Sequence, residues 1–107
     1  MNQELKVSQS FMSFSQNAPE HNRIWMEAVE KLSKACKLEP KTAALSYISV
    51  LAVMRLESGL PFHVKHAKML GATRDEIISA VLVGLPAAGN AVTHSIPIAV
   101  GAYDENN

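Results

Sequence analysis

At 107 residues the chain has the size of one small domain, near the range where burial of a single core becomes marginal. Apolar residues make up 48% of it, which favours a globular class over disorder. Ten basic residues balance ten acidic ones, so net charge offers no hold on nucleic acid or on an anionic membrane.

The first eight residues lack the apolar run of a secretory signal. A nearly uncharged run, 77–95, approaches membrane-spanning length, but Gly84, Pro86, Gly89, Asn90 and His94 interrupt it. A buried pair of helices is the expectation there, with no membrane partner. A lone cysteine, Cys36, makes neither an intrachain disulfide nor a zinc-ligand set. The expectation is a cytoplasmic protein forming one domain over 1–107, without a resident metal or cofactor.

Residues 1–16 carry Leu5, Val7, Phe11, Met12 and Phe14 among serines and glutamines, which suits a short helix or an arm. Pro19 and Glu20 then mark a helix start. Ile24, Trp25, Ala28, Val29, Leu32, Ala35 and Cys36 recur at helical spacing. This predicts an amphipathic helix with Cys36 buried on its inward face and Trp25 as a core or interface anchor. Pro40 opens the next helix, and 42–57 is apolar almost all round. Such a helix is buried on several sides, as the centre of a bundle or at a subunit interface. Gly59 is expected to end it with a positive φ.

Pro61 restarts the chain, and a short helix over 61–70 ends at Gly71. Thr73 and Glu76 have the spacing of a capping box. Ile77, Ile78, Val81, Leu82 and Leu85 follow on one face, and Pro86 ends or kinks that helix. A last helix is predicted over 87–103, bent at Pro97. Met54 and Met69 read as gap-fillers, and Gly84 and Gly89 as sites of close packing or kinking. No segment alternates with period two. The fold class is therefore all-α, five to six helices with short connections.

His63 and His66 stand three residues apart, so their imidazoles can share a helix face. Neutral imidazole moves protons near neutral pH, which makes His63 the leading candidate acid–base residue. Glu57, close by in sequence, can orient it. Lys65 is a candidate for holding a substrate carboxylate, although lysines are mostly exposed. His94 and Asn90 lie four apart in the predicted last helix and become candidate pocket residues. A metal pair on His63 and His66 would need a third ligand such as Glu57 or His94, so no metal is assigned.

The string His63-x-x-x-Ala67-x-x-x-Gly71-Ala72-Thr73-x-x-Glu76-Ile77 closely resembles the core of the carboxymuconolactone decarboxylase family, which includes the AhpD-like alkyl hydroperoxidases. The similarity spans about 19–104. It implies an AhpD-like helical bundle that self-associates to a trimer or hexamer. The thiol branch of that family carries Cys-x-x-Cys-x-x-x-His with an upstream glutamate. Counted back from His63, the cysteine positions fall on Leu56 and Gly59, and the glutamate position near Ala44. A thiol peroxidase needs a thiolate and a resolving partner, which neither Leu56 nor Gly59 supplies.

The resemblance to the decarboxylase branch implies a lyase- or isomerase-type acid–base enzyme, with His63 acting on a small carboxylated metabolite. A non-catalytic oligomeric binding module stands beside it as a second reading. A peroxide-reducing enzyme is the third, disfavoured by the missing cysteine pair.

Overall fold

The computed structural model describes residues 8–105; Leu5, Val7, Asn106 and Asn107 lie outside the described residues. Among the described residues there are six helices of nine residues or more, one single-turn helix and two 3-10 turns, with no strand. The sequence explains where most of them begin. Ahead of α1 (Gln9–Asn17), Ser8 Oγ accepts from the Phe11 N–H at 3.1 Å. α2 (Pro19–Ala35) starts on Pro19, with Glu20 in its first turn and Lys34 in its last, both favourable to the helix dipole. α3 (Pro40–Val53) starts on Pro40, and the Glu39 carboxylate accepts from the Thr42 N–H at 3.1 Å.

α3 ends at Val53 rather than near 57. The Leu56 N–H donates to the Leu51 carbonyl at 2.9 Å and the Arg55 N–H to that of Ala52 at 3.3 Å. Those two bonds make a Schellman closure, and the left-handed residue it requires is Arg55, with φ 58°. Gly59 instead has a helical φ of −86°, because it ends the 3-10 turn Glu57–Gly59 and leads straight into α4. α4 (Leu60–Met69) closes the same way at Gly71, with φ 99°. There the Ala72 N–H reaches the Ala67 carbonyl at 3.0 Å.

α5 (Arg74–Leu82) carries the predicted capping box. The Thr73 N–H donates to Glu76 Oε1 at 2.9 Å, and the Glu76 N–H to Thr73 Oγ1 at 3.1 Å. Beyond it, the predicted long last helix is three pieces: α6 (Leu85–Ala88), the 3-10 turn Asn90–His94, and α7 (Ser95–Asp104). Gly89, at φ 89°, separates α6 from the turn. Pro97 falls in the first turn of α7, where its missing N–H costs nothing, so it starts a helix rather than bending one.

The core lies among α3, α4, α5 and α7. Ile48, Leu60, Val64, Ile77, Val81 and Val92 are fully buried there, each contributing about 1.5–3 kcal/mol. Polar ties hold the same layers: Ser49 Oγ donates to the Ala80 carbonyl at 2.7 Å, and Tyr103 Oη to that of Ala72 at 2.9 Å. Gly84 lies so close to α3 that a Cβ there would sit 2.5 Å from Val53 Cγ2, as its reading as a packing glycine anticipates.

α2 departs from expectation. It is amphipathic, yet it buries no residue, and its main packing partner is α1. Trp25 is 57% exposed and Leu32 66%. Cys36 is exposed, not buried, because the face it shares has no cover among the described residues. Met54 and Met69 are likewise exposed rather than filling gaps.

Candidate functional site

His63 sits in the first turns of α4, half-buried, on the side that faces α3. Its ring is tilted 51° against Tyr47 with centroids 4.5 Å apart, and it meets Phe62 edge-on at 5.0 Å. Among the described residues no hydrogen bond or ion pair engages either ring nitrogen. Burial among these rings lowers the His63 pKa below its ordinary value, and the nearby His66 lowers it further. At neutral pH the ring is therefore the uncharged base.

His66 lies one turn on and is exposed. The Glu57 carboxylate is engaged by the Arg55 guanidinium. Lys65, two residues from His63, lies on a different side of α4. It is buried rather than exposed, and its ammonium pairs with Glu105 Oε1 at 3.0 Å. His94 and Asn90 are both exposed, and they bound a 3-10 turn rather than lining one side of an α-helix. At three residues per turn, positions four apart point different ways.

Of the residues singled out by sequence, the structure thus gathers His63 and His66, and ties Glu57 and Lys65 into ion pairs. The residue missed is Tyr47. Nothing near it in the chain links position 47 to position 63, and its place within an apolar helix reads as plain packing.

Leu56 and Gly59 bracket the 3-10 turn ahead of α4. A Cβ on Gly59 would stand 3.9 Å from His63 Cδ2 and 3.6 Å from Leu51 Cδ2. Position 59 therefore opens directly onto the imidazole. Ala44, at the upstream position, packs against the core. Cys36 lies at the end of α2.

Among the open clefts on the described surface are two that His63 does not line. One, of about 420 Å³, runs between α3 and α5 past Thr42, Ser46, Ser49, Asp75 and Ser79. The other, of about 370 Å³, lies on the α1–α2 hairpin among Phe14, His21, Ile24, Trp25 and Ala28. Among the described residues no three His, Cys, Asp or Glu side chains come together as metal ligands. No helix there is long and apolar enough to cross a membrane.

Comparison with known families gives one match, the carboxymuconolactone decarboxylase family, over residues 19–100. No curated protein and no solved structure matches the chain significantly.

Proposed function

The chain belongs to the carboxymuconolactone decarboxylase family, and from that premise we propose that it is a cysteine-independent acid–base enzyme of lyase or isomerase type. Its substrate is a small carboxylated metabolite, and His63 is the proton-transfer residue. The observation that carries this reading is the setting of the His63 ring: half-buried against Tyr47, its pKa lowered by that burial, and engaged by no hydrogen bond or ion pair among the described residues. An imidazole so held can take a proton from carbon next to a carbonyl and return it to the product. Thiol chemistry has no such support, since positions 56 and 59 hold leucine and glycine and Cys36 lies on another helix.

The test is turnover on a panel of carboxylated lactones and keto acids, with solvent deuterium incorporation as a second readout. Wild type is expected to turn over at least one of them, and His63→Ala to lose that activity with its helical signal unchanged. Absence of turnover and of deuterium exchange across the panel overturns the reading.

A specific observation favours the second reading, a non-catalytic oligomeric binding member of the family. Glu57 and Lys65, two charged groups close to His63 in the chain, are both committed to ion pairs. Under that reading the protein retains ligands without turnover, and His63→Ala changes affinity alone.

A further inference from the structure

Among the described residues Lys65 is the only charged one that is buried, at 6% exposure. Its α4 neighbours Val64 and Ala67 are fully buried as well. An ammonium taken out of water is costly unless an anion answers it. The anion comes from Glu105, the first residue past α7, whose Oε1 lies 3.0 Å from Lys65 Nζ. The Glu105 side chain is 37% exposed, so its carboxylate reaches in from solvent to a cation that does not reach out. The acid–base reading uses neither group.

The same end of α7 is held by two further cations. Lys68 donates to the Tyr103 carbonyl at 2.7 Å, and its ammonium sits 4.6 Å from the centre of the Tyr103 ring. Arg74 grips both Asp104 carboxylate oxygens, at 3.0 and 3.1 Å. Lys65 and Lys68 stand three residues apart, so their ammoniums can share a face of α4. Lys68 pairs with no carboxylate among the described residues.

We propose that Lys65 is the centre of a carboxylate-binding site, that Glu105 is its resident occupant, and that a small free dicarboxylate competes for it and releases the end of α7. The chemistry of the site selects that ligand. A carboxylate is the group Lys65 already holds, and an empty seat leaves a buried charge in want of an anion. One free carboxylate competes poorly, because a tethered group acts at an effective concentration on the order of mM. A second carboxylate on the ligand can answer Lys68, a charge-assisted contact that Glu105 does not make. Lys65 lies on a different side of α4 from His63, so this site stands apart from the acid–base one.

The experiment combines thermal melts and backbone NMR on the full chain. The probes are sodium succinate, sodium acetate, and sodium chloride at matched ionic strength. Glu105→Ala empties the seat, and position 105 lies outside α7, so the helical signal should persist. The variant should melt below wild type, and succinate should restore its melting temperature saturably where chloride does not. Glu105→Gln, which keeps the shape without the charge, is the second variant and should respond in the same direction.

Wild type must displace its own carboxylate, so its half-saturation should lie at least about tenfold higher than that of Glu105→Ala. At saturation the wild-type amide signals of residues 103–105 should move together. Acetate should act more weakly than succinate in both.

Chloride as effective as succinate overturns the site, and so does a response that survives Lys65→Met in the Glu105→Ala background. Equal half-saturation in wild type and variant overturns Glu105 as the occupant. Acetate equal to succinate overturns the part given to Lys68, and unmoved amides at 103–105 overturn the release. A response lost in His63→Ala would put the carboxylate at the acid–base site and sink this one. A succinate response without turnover on the substrate panel would remove the acid–base reading and leave the Lys65 site standing.

Discussion

The imidazole of His63 lies against the phenol ring of Tyr47 with centroids 4.5 Å apart, joining the start of α4 to the middle of α3. Each ring withholds water from the other, and this burial is the larger cause of the lowered His63 pKa. Tyr47→Ala should therefore raise that pKa toward about 6.5, while Tyr47→Phe, which keeps the ring, should leave it in place. The sign for stability follows. A histidine whose folded pKa is depressed contributes stability that is present above the unfolded value and lost as pH falls through the folded one. Denaturant midpoints measured from neutral to mildly acid pH should fall less steeply for Tyr47→Ala than for wild type. The lost ring contact itself costs about 1 kcal/mol at neutral pH.

Gly84 and Val53 form a second contact that decides stability. A methyl group at 84 would fall 2.5 Å from Val53 Cγ2, closer than carbon atoms approach. Gly84→Ala should lose about 1–3 kcal/mol to overpacking. Val53 is partly exposed, so Val53→Ala on its own should cost little. The double substitution should recover most of the loss, giving a coupling in chemical denaturation well outside additivity. Simple additivity would show that the approach of α3 to residue 84 is looser than described.

Much of this was legible in the chain because helix starts have a local chemistry. Pro19, Pro40 and Pro61 each stand in a first helical turn, and Thr73 with Glu76 forms its box from four consecutive residues. Helix ends were less legible. Gly71 takes the left-handed position as glycine should, but at the end of α3 the same position falls to Arg55, a residue type that gives no warning. Periodicity made α2 amphipathic without saying what its apolar face would meet, because that depends on packing and not on spacing. His63 could be singled out as a candidate from the chain, but its surroundings could not. The partner that buries Lys65 is Glu105, forty positions away, and Tyr47 reaches His63 only once α3 and α4 have packed.

The left-handed residues supply the third prediction. Arg55 has φ 58°, which costs a side-chain-bearing residue about 1–2 kcal/mol. Arg55→Gly relieves that strain, offset by about 0.5–1 kcal/mol of glycine chain entropy and by loss of the exposed pair with Glu57. The net should be a gain of under about 1 kcal/mol. Arg55→Ala removes the pair and keeps the strain, so it should not stabilise. Gly71→Ala should lose about 1 kcal/mol, although no atom lies within 4 Å of its added Cβ. Thermal melts of the three variants separate backbone strain from side-chain contact.

Positions 56 and 59 test whether this scaffold still suits the cysteine pair that it lacks. A Cβ on Gly59 meets Leu51 and His63 at ordinary van der Waals distance, 3.6–3.9 Å. The backbone there, φ −86° and ψ −13°, suits any residue, and Leu56 is half exposed. Leu56→Cys with Gly59→Cys, made on a Cys36→Ser background, should therefore fold as the parent does. The thiol at 59 would stand at the N-cap of α4, where the helix dipole favours thiolate and the neutral imidazole can take the thiol's proton to form a thiolate–imidazolium pair. Its alkylation should follow a pKa below the ~8.5 of a free thiol, and His63→Ala should move that pKa upward. A thiol at 59 that titrates like a free one, indifferent to His63, would mean that the site has lost the electrostatics as well as the nucleophile.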